Sequence, residues 1–178
     1  MEEVLYVNDK AYQVLSLLGH GKGGYSYLVT DGNLNYVLKQ IHHEPCEYYT
    51  FGDKLAAELA DYEKLLATGI AIPTLLEVDR DKERILKTYV AGPTIYELVA
   101  KDQMLQTYYD QIEEMAEQVK SFHLNIDYYP TNFVVQDSKL YYIDYECNSY
   151  MEKWSYEEWG KKYWSKTKEF MDTLKKVE

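Results

Sequence analysis

A glycine-rich stretch between two segments with strand composition constrains the fold of this chain most strongly. Residues 19–24 read GHGKGG, and they follow the apolar segment 13–18 and precede the aromatic segment 25–30. Glycine lets backbone N–H groups approach phosphate oxygens, because no Cβ stands in the way. A dinucleotide-binding loop would lead into a helix, whereas a strand pattern continues in this chain, so we predict a hairpin with a glycine loop at its tip. A flexible turn without any ligand is the other interpretation of this stretch taken alone.

The spacing of apolar residues predicts an α+β fold. A third strand at 34–41 follows the hairpin, and apolar residues then recur at three- and four-residue spacing over 53–68, which predicts a helix. The remaining predicted elements are strands at 74–78 and 85–90, a helix at 95–122, paired strands at 132–136 and 139–143, and an amphipathic helix at 156–176. The chain is therefore expected to begin with an antiparallel sheet and one helix and to continue mainly as helix.

The overall composition excludes several classes of protein. The 178 residues allow one functional unit, and a hydrophobic content of 46% with 20 Tyr indicates a folded chain. A net charge of −11 repels nucleic acid and anionic lipid, and no basic patch offsets it, so neither nucleic acid nor a membrane is an expected partner. The first residues have no signal-peptide pattern and no apolar run is long enough to span a bilayer, so we expect a cytoplasmic location. Cys46 and Cys147 lack metal-type spacing and are expected to be free, inert thiols.

Lys39 is the first candidate for a charged group inside a site. It has the same parity in the strand as Val37 and Ile41, so the pattern turns its side chain toward the buried face of the sheet. An ammonium group on a buried face needs a partner, because it has lost its hydration. Glu58, on the following helix, is a suitable partner. The alternative interpretation places Lys39 at a sheet edge and Glu58 in solvent.

Three polar residues in the second half form a candidate catalytic and metal-binding group. Asp127 and Asn132 bracket a loop that Pro130 makes irregular, and Asp144 ends the second strand of the hairpin that begins at Asn132. Both ends of this hairpin return to one place. Asn132 and Asp144 would then supply the oxygen ligands that Mg²⁺ prefers, which leaves Asp127 to accept a hydroxyl proton. Taken singly, Asp and Asn are also common turn-capping residues.

Taken in order, these features resemble the protein-kinase-like superfamily over essentially the whole chain. The chain looks most similar to its compact members, which include bacterial predicted Ser/Thr kinases, RIO-type kinases and aminoglycoside phosphotransferase-like enzymes. Asp144, Tyr145 and Glu146 stand where ordinary protein kinases have Asp-Phe-Gly. The resemblance implies a minimal bilobal fold, with an antiparallel β-sheet N-lobe carrying one helix over residues 1–91 and a truncated, mainly helical C-lobe over residues 92–178. It also implies a nucleotide site between the lobes.

The resemblance implies a role for each candidate residue. Lys39 would be catalytic by holding the α- and β-phosphates of ATP, with Glu58 positioning it, and Asp127 would orient or deprotonate the acceptor. Asn132 and Asp144 would hold Mg²⁺ or Mn²⁺. The residues that would bind the nucleotide are Gly21, Gly23, Ser26, Lys39, Glu58, Thr88 and Val90, the last two in a hinge segment at 87–90 that meets the adenine.

Two departures from the kinase pattern matter for regulation and substrate. Asn125 and Ile126 occupy the His-Arg positions of the usual His-Arg-Asp, so the arginine that reads activation-loop phosphorylation is missing. The stretch after Asp144 contains no Ala-Pro-Glu, so we expect no conventional peptide-docking platform. The acceptor can therefore be a protein hydroxyl or a small-molecule hydroxyl.

Three functions compete at this point. The leading one is an ATP- and divalent-metal-dependent phosphotransferase. A nucleotide-binding pseudokinase or regulatory module is disfavoured, because Lys39, Asp127, Asn132 and Asp144 are all present. A structural interaction domain would use the aromatic tail around Trp154, Trp159 and Trp164, although aromatic residues at such spacing more often form core.

Overall fold

The computed structural model describes residues 3–21, 23–43 and 53–177, and Cys46 lies outside them. The α+β class predicted from the sequence is confirmed. The chain divides into two compact units. The first consists of Met1–Ala60 and Pro73–Tyr89, and the second consists of Asp61–Ile72 and Val90–Glu178.

The first unit is built on a six-stranded antiparallel sheet with the strand order β1-β2-β3-β4-β6-β5. Its strands are β1 (Val4–Val7), β2 (Lys10–His20), β3 (Gly24–Thr30), β4 (Asn35–Ile41), β5 (Leu75–Asp79) and β6 (Arg84–Thr88). Between β4 and β5 lies helix α1 (Lys54–Thr68), whose first turn is capped by the Asp53 carboxylate, which accepts the Ala56 N–H at 3.0 Å. Ile41, Leu55 and Ile85 form a buried cluster where the helix meets the sheet.

Strand β1 was missed by the sequence analysis, although a signal for it exists. Asn8 and Asp9 both have positive φ, at 49° and 70°, and form the two-residue connection between β1 and β2. Asn and Asp tolerate this left-handed conformation, and two such residues are typical of a tight hairpin turn. The Asn-Asp pair therefore could have predicted a hairpin before the glycine loop.

The second unit combines helices with two short antiparallel strand pairs. Its elements are α2 (Ile95–Ala100), α3 (Gln106–Ser121), β7 (Leu124–Ile126), β8 (Phe133–Gln136), β9 (Lys139–Tyr142), β10 (Cys147–Ser149) and α4 (Lys168–Val177). Strand β7 pairs with β10, and β8 pairs with β9 as predicted. One apolar core runs through this unit and includes Ile112, Val119 and Phe133.

The single helix predicted over 95–122 is wrong, because the chain breaks it into α2 and α3. Thr94 caps α2 by accepting the Glu97 N–H at 3.1 Å. The helix ends at Ala100 with Lys101 as its C-cap, and Asp102 then takes a positive φ of 56°, which an α-helix cannot continue. The apolar spacing runs across this break, so periodicity alone could not reveal it.

The predicted tail helix over 156–176 is also mostly wrong. A π-helical turn at Tyr156–Gly160 and a 3₁₀ turn at Lys161–Tyr163 precede α4, which Thr167 begins by accepting the Phe170 N–H. The aromatic residues of the tail divide between core and surface. Trp164 is fully buried, whereas Trp154 is 48% exposed. Within the described parts of the chain, no helix combines the length and the apolar character needed to cross a membrane.

Candidate active site

The glycine loop predicted between β2 and β3 is present, and hydrogen bonds hold its backbone in place. The Gly21 N–H donates to the Gly24 carbonyl at 3.0 Å, which closes the turn. His42, just after β4, donates its N–H to the Gly23 carbonyl at 3.3 Å, and its ring nitrogen lies 2.7 Å from the Gly21 carbonyl. A Cβ at Gly19 or Gly21 would meet no atom of the described residues within 4 Å. The loop backbone is therefore anchored by His42.

Gly24 is the position in this loop that sterically requires glycine. A Cβ built there would lie 2.4 Å from the Gln40 carbonyl oxygen of β4. We expect Gly24→Ala to lower the free energy of unfolding by about 1–3 kcal/mol, because the backbone of β3 or β4 must move. Gly21→Ala is the matched control, since its methyl group would enter open space. Urea unfolding measures both, and equal stability of the two variants would contradict this packing.

Lys39 and Glu58 form the ion pair that the sequence predicted. The Lys39 Nζ lies 2.5 Å from Glu58 Oε1, and the two side chains are only 13% and 10% exposed. The second carboxylate oxygen, Glu58 Oε2, is buried and has no hydrogen-bond partner within the described ranges. An oxygen in this state is costly unless a further donor reaches it. The interpretation that put Lys39 at a sheet edge and Glu58 in solvent is therefore wrong, because β4 lies between β3 and β6 and the Glu58 side chain is buried.

The ion pair lies directly beside the glycine loop. A Cβ at Gly23 would sit 3.6 Å from the Lys39 Nζ, so a larger side chain there would occupy the space next to the ammonium group. Ser26 is the register partner of Lys39 across β3 and β4, which places both side chains on one face of the sheet. An ammonium group, a hydroxyl group and a glycine backbone brought together can bind an oxyanion such as phosphate.

The predicted hinge residues lie where β6 ends. The Thr88 N–H donates to the Thr74 carbonyl at 3.0 Å, and the Thr88 hydroxyl accepts the Thr74 N–H at 2.9 Å. The main-chain donor of Thr88 is therefore used within the sheet. The strand predicted to run to 90 stops at Thr88, and Val90 is a buried residue of the second unit.

The loop that carries Asp127 and Asn132 is held by its own polar groups. Asp127 Oδ1 accepts the Tyr129 N–H at 3.1 Å, and the Asp127 carbonyl accepts from the Asn132 side-chain amide at 3.3 Å. Residues Pro130–Asn132 form a 3₁₀ turn. Asp127 thus does cap a turn, as one interpretation required. These bonds hold the loop and one oxygen of the Asp127 carboxylate in place.

Asn132 and the residue before Asp144 are adjacent, as the predicted hairpin required. The Ile143 N–H donates to the Asn132 carbonyl at 2.9 Å. No group of three or more His, Cys, Asp or Glu side chains in the described part of the chain is placed to hold a metal. Mg²⁺ usually takes one or two protein oxygens and completes its shell with waters and phosphates. One amide oxygen and one carboxylate on neighbouring segments fit this requirement.

Two residues near Asp144 were not singled out from the sequence. Tyr142 is fully buried, and its hydroxyl accepts the Asp127 N–H at 3.2 Å and donates to the Glu146 carbonyl at 2.8 Å. Burial raises the pKa of Tyr142 well above its ordinary value. Asp61, in the part of α1 that belongs to the second unit, accepts the Cys147 N–H at 3.3 Å. Burial raises the pKa of the Asp61 carboxyl, and the charge of Asp144 adds to this effect.

The residues after Asp144 take part in strand pairing and in the packing of the second unit. Cys147 is a buried free thiol, and burial raises its pKa to about 12, so this thiol is unreactive, as predicted. Asn125, two residues before Asp127, is buried and accepts the Met151 N–H at 2.6 Å. The strand before Asp127 therefore pairs with the chain that follows Asp144. Further along, the Trp164 indole N–H donates to the Tyr128 carbonyl at 2.8 Å and holds the Asp127 loop from the other side.

No model of a known protein family matches the chain, and no curated protein is significantly similar to it. The residues and contacts described above are therefore the support for a function.

Proposed function

We propose that this chain is an ATP- and divalent-metal-dependent phosphotransferase of the protein-kinase-like type, with a bilobal fold, that transfers the γ-phosphate to a hydroxyl acceptor. The observation that carries the proposal is the Lys39–Glu58 ion pair, buried beside the glycine loop. A structural lysine at a sheet edge would not need a buried carboxylate. A lysine that receives phosphate oxygens does, because the carboxylate fixes the ammonium group in one position.

The candidate residues have different roles in the proposed reaction. Lys39, Ser26 and the loop backbone at Gly21 and Gly23 bind the phosphates. The acceptor oxygen attacks the γ-phosphorus, the bond from that phosphorus to the oxygen of ADP breaks, and Asp127 takes the acceptor proton. Asn132 and Asp144 would hold Mg²⁺ or Mn²⁺, and the metal ion would neutralise part of the phosphate charge.

A small-molecule hydroxyl is a better candidate acceptor than a peptide. In protein kinases the chain after the metal-binding aspartate presents the peptide. In this protein the corresponding residues form β10, which pairs with β7, and then enter the core through Trp164. Because these residues take part in strand pairing and core packing, an acceptor that needs no peptide-docking platform is favoured.

Nucleotide binding is expected to raise the melting temperature. A ligand that binds only the folded state stabilises it by about 2.7 kcal/mol at a hundredfold excess over Kd. The measurement is thermal unfolding with ATP and Mg²⁺, with ATP and EDTA as the control, followed by phosphate transfer to a panel of sugars, amino alcohols and hydroxyl-bearing peptides. A folded protein that shows no shift at any ATP concentration would contradict nucleotide binding. A shift without transfer to any acceptor would favour the nucleotide-binding regulatory module instead.

A further inference from the structure

Tyr142 connects the two polar segments of the second unit through a single hydroxyl group. The side chain is fully buried, and its ring packs against Phe133 with a centroid distance of 5.2 Å. The hydroxyl accepts the backbone N–H of Asp127 at 3.2 Å and donates to the backbone carbonyl of Glu146 at 2.8 Å. Both of its hydrogen-bonding functions are therefore used on main-chain groups.

The two main-chain groups belong to the segments that carry the reactive side chains. Asp127 begins the loop that ends at Asn132, and Glu146 lies two residues after Asp144. Tyr142 itself lies two residues before Asp144. Its hydroxyl therefore spans residues 143–145 and links Glu146, on their far side, to the Asp127 loop. A second bond runs in parallel, from the Ile143 N–H to the Asn132 carbonyl.

We propose that Tyr142 is a positioning residue that sets the placement of Asp127 relative to Asp144, and this rests on the proposed function. Tyr142 need not touch nucleotide, metal or acceptor. Without the hydroxyl, the Asp127 N–H and the Glu146 carbonyl, which belong to half-buried residues, lose the partner that joins them. The two segments then separate or tilt, and a displacement of about 1 Å at a reacting group can cost roughly 100-fold in rate.

Another buried tyrosine provides a matched control. Tyr156 is also buried in the second unit, but its hydroxyl has no hydrogen-bond partner within the described residues. Tyr142→Phe and Tyr156→Phe thus remove the same atom from two buried rings. One removal breaks two main-chain hydrogen bonds, and the other breaks none that the described residues make.

Two measurements on the full chain test the proposal. In amide hydrogen exchange followed by NMR, Tyr142→Phe should speed exchange of the Asp127 amide at least tenfold, while Tyr156→Phe leaves it at the wild-type rate. In transfer assays, Tyr142→Phe should lower kcat by roughly 10- to 100-fold with little change in the KM for ATP, because the phosphate-binding groups are untouched. Tyr156→Phe should keep the wild-type kcat.

The outcomes separate this proposal from the proposed function. An unchanged Asp127 amide, or an active Tyr142→Phe enzyme with wild-type kcat, would overturn the positioning role. A wild type without transfer to any acceptor would overturn the proposed function, while the exchange experiment would still test the hydroxyl link. If Tyr142→Phe does not fold, NMR of the wild-type protein tests the proposal instead. Its Tyr142 hydroxyl proton should exchange slowly and show a nuclear Overhauser effect to the Asp127 amide proton, and the absence of both would overturn the proposal.

Discussion

Replacing Asp144 with Asn is expected to abolish phosphate transfer and to weaken the binding of ATP with Mg²⁺ at the same time. The substitution keeps the size of the side chain and removes the only charged member of the predicted metal pair. Mg²⁺ is held by few protein oxygens, and a neutral amide is a weaker ligand for it than a carboxylate. Loss of the metal then lowers both the affinity for the nucleotide and the turnover.

Asp127→Asn should behave differently, although Asp127 lies in the loop that adjoins the Asp144 segment. It removes the group that we propose takes the acceptor proton, so transfer should fall by roughly 100-fold or more, the range for loss of a general base. The affinity for ATP with Mg²⁺ should barely change. The amide oxygen of the new side chain can still accept the Tyr129 N–H, so the turn at 127–132 is expected to persist.

Calorimetric titration of each variant with ATP and Mg²⁺, run in parallel with a transfer assay, measures this contrast. Asp137→Asn is a matched control, because Asp137 lies in the exposed turn between β8 and β9 and should affect neither quantity. Equal loss of nucleotide binding in the Asp127 and Asp144 variants would show that the two aspartates do not have separate roles. Unchanged transfer in Asp127→Asn would remove the general base from the mechanism.

The sequence predicted those parts of the site whose signals are local. The parity of Lys39 in its strand, together with one glutamate on the next helix, was enough to predict their ion pair, which is confirmed. The hairpin that begins at Asn132 was likewise predictable from the sequence, because two short strands flank a polar turn and bring its ends together.

The parts that were missed depend on contacts between distant residues. Strand β10 is only three residues long, and it exists because it pairs with β7. In the sequence, Tyr142 follows the same pattern as the other apolar residues of its strand. No neighbouring residue indicates that its hydroxyl lies between Asp127 and Glu146. Asp61 lies three residues after Glu58 on the same helix, which was a usable signal for a second inward carboxylate. Its partner, the Cys147 N–H, was not predictable.

Lys39 and Glu58 should be strongly coupled both in stability and in turnover. Either Lys39→Met or Glu58→Gln removes one member of a pair that is nearly nine-tenths buried, so the remaining charge loses this ion-pair partner. Breaking such a pair by removing one partner costs about 3–5 kcal/mol of stability. The double variant removes both charges, so its cost should be well below the sum of the two single costs.

Turnover should show the same coupling. Lys39→Met removes the group that we propose contacts phosphate, and we expect a loss of roughly 100-fold or more. Glu58→Gln acts only through Lys39 and should cost less, and the double variant should be no slower than Lys39→Met alone. The measurement is a double-mutant cycle in kcat/KM and in urea unfolding. The control is the exposed ion pair of Lys166 and Asp102, with an N–O distance of 2.8 Å, where Lys166→Met should change stability by less than about 1 kcal/mol. If the two single losses at Lys39 and Glu58 simply multiplied, Glu58 would have a role of its own and would not act by holding the lysine.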